Sequence, residues 1–287
     1  MNFKGKLVII GGAEDKGDAQ EQRRDEENSR KDSILQRIVD ESREKEKSRI
    51  EVVTSASRVP DEIGEDYIKA FGLLNATNVG VMKIENREEA GDKEILSRLK
   101  AADVVFFTGG NQLRLTSIIG GTPFFDILLK KLEQEHFIYA GTSAGAAAAS
   151  ESMIWQGSSA DAIQKGEIKT STGFGLVENV VFDTHFVTRG RIGRLFQIIV
   201  SNPKILGVGL EENSALLITS DGKMEAIGPG MTILVDGRHI RNTNLLEIRE
   251  GVPLSIDNMT LHVMSKTDIY DLNDHTLTII TPDDCKP

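Results

Sequence analysis

The chain has almost no cysteine. Of its 287 residues only Cys285, third from the C-terminal end, carries a thiol, so no intrachain disulfide framework is possible and a reducing compartment is expected. Positive charge is in deficit. The 34 Lys and Arg stand against 44 Asp and Glu, a formal net charge of -10, which argues against general binding to nucleic acid or to an anionic membrane. Long apolar runs are missing, so no membrane span is expected, and the apolar part of "MNFKGKLVIIGG" is too short for a signal peptide. These absences together predict a cytoplasmic protein with neither nucleic acid nor membrane as partner. What is present, 39% hydrophobic and 27% charged residues, is an ordinary globular composition in a chain long enough to bury a substantial core.

Short apolar runs alternate with helical patterns through the first two thirds. "KLVII" (6–10), "RIEVVT" (49–54), "NVGVMKI" (78–84), "ADVVFF" (102–107) and "FIYA" (137–140) read as strands. Between them "EIGEDYIKAFGLLN", "KEILSRLKAA" and "FFDILLKKLEQE" carry apolar residues at three- and four-residue spacing. Continuously apolar strands alternating with helices predict a parallel sheet covered on both faces, with ligands bound beyond the strands' C-terminal ends. After about residue 214 the texture changes. Asp221-Gly222 and Asp236-Gly237 each follow a strand-like run and read as hairpin turns, and "LSIDNMTLHVMS" and "HTLTII" are strand-like too. No linker separates the two textures. The sequence therefore predicts a single domain, with residues 1–213 as an α/β core and 214–287 as a β-hairpin extension. The charged stretch 13–48 reads as a loop followed by a solvated helix.

The chemistry is suggested by "YAGTSAGAAAAS" (139–150), where Gly141 and Gly145 flank Ser143 in a G-x-S-x-G pattern. A strand before it and a helix-competent alanine run after it are the context of a nucleophile elbow. The competing reading is a tight turn whose small residues serve helix–sheet packing. A serine nucleophile needs a base, and of five histidines His185 alone follows a strand-like run, "LVENVVF" (176–182), at its C-terminal end. A third group should orient the imidazole. "ILGVGLEEN" (205–213) ends in Glu211-Glu212, and strand alternation allows only one of the two to reach His185. The order Ser, His, Glu differs from that of the α/β-hydrolases, where the acid precedes the histidine. Oxyanion donors are expected from the N–H of Ala144 and from Gly110 in "FFTGGNQ" (106–112).

Taken in order, "IIGGAEDK" (9–16), "FTGGNQ" (107–112), "GTSAGA" (141–146), "DTHF" (183–186), "RGRIGR" (189–194), "GVGLEEN" (207–213) and "IGPGMTILVDG" (227–237) resemble the cyanophycinases, in the serine peptidase family that also contains aspartyl dipeptidase (peptidase E). The resemblance implies a class I glutamine amidotransferase-like (flavodoxin-like) fold, with serine replacing that superfamily's cysteine, and no metal or organic cofactor. It implies Ser143 as nucleophile, His185 as base and Glu212 as acid, with Gln112, Asp183, Thr184, Arg189, Arg191 and Arg194 at substrate-binding positions. The implied substrate is cyanophycin, a polyaspartate with arginine on each β-carboxylate, cut to β-Asp-Arg dipeptides by a homodimer. The expected partner is cyanophycin or a β-aspartyl peptide as substrate; the alternatives are an aspartyl dipeptidase (peptidase E-like) acting on short peptides and a catalytically inactive binding member.

Thr184 stands where cyanophycinases usually carry glutamine, which predicts a weaker grip on the long polymer. "TGGNQ" replaces the usual "TGGDQ". Asp183, two residues before His185, is expected on the same face as the base, where a substrate guanidinium would neutralise it. Arg191 and Arg194, three apart, are expected on one helical face.

Overall fold

The structure, a computed structural model, describes residues 3–16 and 33–281. Cys285 and residues 17–32, most of the loop expected within the charged stretch, lie outside them. The first half alternates strand and helix: β1 (Lys6–Ile10), α1 (Ile34–Glu41), β2 (Ile50–Val53), α2 (Pro60–Leu73), β3 (Val79–Met82), α3 (Lys93–Ala101), β4 (Val104–Phe107), α4 (Gln112–Ile119), α5 (Pro123–Leu132), β5 (Ile138–Thr142) and α6 (Ala144–Ala148). Then follow β6 (Ser152–Gln156), β7 (Lys169–Thr172), β8 (Val180–Thr184), α7 (Ile192–Ser201) and β9 (Leu206–Leu210). The last part is β10 (Ala215–Ile218), β11 (Lys223–Ile227), β12 (Thr232–Asp236), β13 (Asn242–Thr243), β14 (Ile256–Asp257), β15 (Thr260–Met264), β16 (Ile269–Asp271) and β17 (Thr276–Thr278).

The central sheet has the order β17-β16-β11-β10-β1-β5-β4-β2-β3. Its half from β1 to β3 is parallel and its other half antiparallel. Both faces of the parallel half are covered, which is why its strands read as unbroken apolar runs. Leu7, Ile9, Val105 and Phe107 point into one buried cluster, while Val8, Ile10, Val104 and Phe106 point into the other. Helix α1 closes the second cluster with Ile34, Leu35, Ile38 and Val39, so it is amphipathic and half-buried rather than solvated. Ser33 caps it by accepting from the Gln36 N–H at 3.1 Å.

β8 and β9 correct the single-sheet expectation. They pair with each other in parallel but belong to a second sheet, β15-β12-β9-β8. The alanine-rich helix α6 explains this. All five of its residues are buried, and its small side chains let the second sheet close over the first. Val180, Phe182, Leu206, Val208 and Leu210 share the cluster of Ala146, Ala147 and Phe107. Val181 on the opposite face packs with Leu195 and Ile199 of α7.

The two Asp-Gly signals have different outcomes. At Asp221-Gly222 the chain turns with Gly222 at φ 89°, and β10 pairs with β11. At Asp236-Gly237 no hairpin forms: β12 pairs with β9 and with the distant β15. Gly237 is there for space, since a Cβ would lie 2.6 Å from Ile199 Cγ2. The Asp236 carboxylate accepts from the Arg238 N–H at 2.9 Å and from its guanidinium, turning the chain away. The β6–β7 pair had no turn dipeptide to announce it.

Candidate active site

β5 delivers Ser143. The strand is wholly buried between β1 and β4, and the next residue turns with φ 49° and ψ -99°, a backbone conformation that L side chains rarely adopt. The Ser143 N–H donates to the Ile10 carbonyl at 3.0 Å. Space explains the neighbouring glycines. A Cβ at Gly141 would lie 2.6 Å from the Gly145 carbonyl, and one at Gly145 would lie 2.6 Å from the Phe107 carbonyl oxygen. Sharp turn and small-residue packing are therefore one arrangement, not alternatives.

His185 follows β8, and the chain leaves the strand there with φ 50°. Its N–H donates to the Gly11 carbonyl at 3.1 Å. Its Nε2 lies 3.2 Å from Ser143 Oγ, and its Nδ1 lies 2.6 Å from Glu212 Oε1. The two glutamates after β9 divide between tasks. Glu211 takes the N–H groups of Val187 and Thr188 at 2.5 and 3.0 Å, and also the Thr188 hydroxyl, so it fastens the loop behind the histidine. The other four histidines sit elsewhere: His136 before β5, His239 after β12, His262 on β15 and His275 between β16 and β17.

The segment after β1 joins these parts. Ile10 accepts from Ser143, Gly11 from His185 and Gly12 from Asn213, while the Gly11 N–H donates to the Ser214 carbonyl. A Cβ at Gly12 would lie 2.6 Å from Cε1 and Nε2 of the imidazole. Three residues, Ile10 to Gly12, thus set the spacing between the two sheets at the site.

Ser143, His185 and Gly110 line an open cavity of about 660 Å3. Gly110, at φ 141°, lies where only glycine fits, a Cβ being 2.1 Å from the Ala56 carbonyl oxygen. Among the described residues no acceptor takes the N–H of Gly110 or of Ala144. Among those residues, too, no three His, Cys, Asp or Glu side chains group to hold a metal ion.

Of the expected substrate-binding residues, Arg189 lines the cavity. Gln112 does not; its amide donates to the Ile154 carbonyl at 2.9 Å, tying α4 to β6. Asp183 is 3% exposed, with Arg194 Nε 3.0 Å and Arg191 Nη1 3.4 Å from its carboxylate. Burial pushes the Asp183 carboxyl up, with both arginines opposing, and burial likewise lowers the Arg191 guanidinium against the pull of Asp183. Thr184 is buried, its carbonyl accepting from Arg191 at 2.7 Å. Asp183 and His185 do not share a face, because His185 is already off the strand, where the period of two no longer holds. The arginines meet as expected, but on Asp183. Glu14 and Tyr67, both in the cavity wall, were not singled out by the sequence. Glu14 lay within "IIGGAEDK" without a chemical role to mark it.

The sequence profile of peptidase family S51 matches residues 23–226. The chain belongs to peptidase family S51. It is thereby a serine peptidase, a hydrolase. A protein of Trichormus variabilis named cyanophycinase is 32% identical over 274 residues, 96% of this chain and 88% of its own. Another of that name, from Synechococcus elongatus, is 34% identical over 272 residues, 95% of this chain and 80% of its own. In fold the S51 chain resembles the crystal structure of a peptidase from an acI-B1 Actinobacterium, with TM-score 0.58, 17% identity and coverage of 92% of this chain and 98% of that one. Asn111 in "TGGNQ" has a plain local role in this S51 chain: it caps α4, its side chain accepting from the Arg114 N–H at 2.8 Å. Asparagine and aspartate cap equally well.

Proposed function

We propose that this S51 peptidase is a serine exopeptidase of the cyanophycinase kind, releasing β-Asp-Arg dipeptides through an acyl-enzyme on Ser143. The observation that carries the reading is the relay of contacts from Ser143 Oγ through the imidazole to Glu212, opening on a cavity. The near-full-length similarity to proteins named cyanophycinase supports the substrate. The alternation of parallel strands and helices around the serine supports a class I glutamine amidotransferase-like core, with serine in place of cysteine.

With Nδ1–H donating to Glu212, Nε2 of His185 is an acceptor and takes the Ser143 proton as Oγ attacks the substrate carbonyl. Glu212 stabilises the imidazolium that results. The N–H groups of Gly110 and Ala144 receive the developing oxyanion, aided by the N-terminal end of α6. Collapse expels the leaving amine, which takes the proton from His185. Water then hydrolyses the ester by the same steps in reverse, restoring Ser143. Arg189 holds a substrate carboxylate at the cavity, while the Asp183–Arg191–Arg194 cluster supports the strand end beneath His185 rather than meeting substrate.

The test is incubation with insoluble cyanophycin and with short β- and α-aspartyl peptides, products identified by mass, beside labelling by a fluorophosphonate probe. β-Asp-Arg release from the polymer and label on Ser143 are expected. Hydrolysis of short peptides alone would assign an aspartyl dipeptidase.

A further inference from the structure

The cavity wall holds a carboxylate that the mechanism above leaves without a task. Glu14 is 5% exposed and lines the cavity that opens on Ser143. Its Oε2 accepts from the Thr142 hydroxyl at 2.6 Å, and its Oε1 accepts from the Tyr67 hydroxyl. Both donors are neutral. Burial first, then the charge of Glu14 itself, holds the Tyr67 phenol well above its ordinary value, so it keeps its proton. Among the described residues no cation pairs with Glu14. A buried carboxylate held by hydroxyls alone is short of a positive partner. Asp183 presents the opposite case: it is as buried, but it already has Arg194 and Arg191.

We infer that Glu14 is a specificity-determining residue, whose missing partner is a guanidinium of the substrate entering the cavity beside Ser143. This rests on the reading of the site as a β-aspartyl-arginine peptidase. A carboxylate offers about four acceptor positions, of which two hydroxyls use two, and a guanidinium fork can give one N–H to each oxygen. The same wall already attracts a cation, since Lys16 Nζ lies 4.3 Å from the centre of the Tyr67 ring. Asp15 adds negative charge to this side, and Arg189 supplies the cation for a substrate carboxylate. The cavity thereby fits a ligand carrying both signs of charge.

The test compares β-Asp-Arg-ended substrates with their β-Asp-citrulline counterparts, which keep the shape and lose the charge. Wild type is expected to prefer arginine by about 10- to 100-fold in kcat/KM, the range of a charge-assisted hydrogen bond. Glu14→Gln should remove most of that ratio, chiefly through KM for arginine, and Glu14→Asp should keep the preference. A loss equal on both substrates overturns the inference and makes Glu14 a positioning residue acting through Thr142; an unchanged ratio overturns it as well. If wild type cleaves neither substrate, the peptidase reading fails separately, and protection of Ser143 from the fluorophosphonate decides the matter. Protection by free arginine but not citrulline, abolished in Glu14→Gln, sustains the inference; equal protection by both ends it.

Discussion

The serine and the histidine reach the site from regions built by different rules. The serine arm is a strand, a turn and a helix within the parallel sheet, continuous in sequence over residues 138–148. The histidine–glutamate arm is assembled from two strand ends of the second sheet, 27 residues apart in the chain, each residue set beyond its strand. The first arm is fixed by local sterics: buried β5, a strained serine and an alanine helix that cannot move without meeting Phe107. The second depends on how two sheets are spaced, and that spacing is held by Ile10, Gly11 and Gly12. Local rules can aim one group; bringing a second to within hydrogen-bond reach needs a tertiary brace.

The largest expected effect falls on the serine arm. Ser143→Ala should lower turnover by about 10⁴- to 10⁶-fold with the melting transition little changed, since the hydroxyl is not part of the packing. Activity at a tenth of wild type would sink the assignment. On the other arm, Glu212→Gln should cost about 10³- to 10⁴-fold, because an amide no longer fixes the tautomer that leaves Nε2 free to accept. Reaction of Ser143 with fluorophosphonate should slow in parallel, whereas a normal labelling rate would show that the imidazole does not depend on Glu212.

The same contrast decides what could be read in advance. The pentapeptide at 141–145 was legible because glycine spacing, a preceding strand and a following helix are all local. The parallel strands were legible from their apolar runs, and the Asp221-Gly222 turn from its dipeptide. The second sheet was not, since Val180–Thr184 and Leu206–Leu210 look the same whichever sheet they join. Nor was the pairing of Asp183 with two arginines. Strand alternation would set Asp183 beside His185 only if the strand continued through residue 185, and the positive φ there ends it. Asp236-Gly237 misled for a related reason: its glycine answers to Ile199, a residue remote in sequence.

The brace itself can be tested next. Gly12→Ala puts a Cβ 2.6 Å from the imidazole, at a backbone φ of 107°. One of them must shift, and a displacement of about 1 Å at a reacting group costs on the order of 10²-fold. Turnover should fall by about that factor with KM less affected, and less than in Ser143→Ala because every reacting atom is still present. A variant indistinguishable from wild type would mean that the two arms hold their distance without residues 10–12.

The smallest effect belongs to Glu211, which touches the loop behind His185 but not its ring. Glu211→Gln should slow turnover by less than about tenfold, since the imidazole keeps Glu212 and only the loop's anchor weakens. A larger loss than that of Glu212→Gln would reverse the roles given to the two residues. Acid sharpens the point. Burial pushes the Glu211 carboxyl up, but the Thr188 hydroxyl and the N–H groups of Glu212, Thr188 and Val187 outweigh it and hold it below its ordinary 4.5. A carboxylate whose value is lower folded than unfolded binds fewer protons in the folded state, so it contributes stability above about pH 4.5 that is lost as pH falls through the folded value. Glutamine has no such titration. Wild type should therefore melt above Glu211→Gln at pH 7, and the gap should close progressively below about pH 4.5. Melting curves of both proteins from pH 7 to pH 3 measure this directly, and a gap that stays constant across the range would show that the loop is not held by the Glu211 charge.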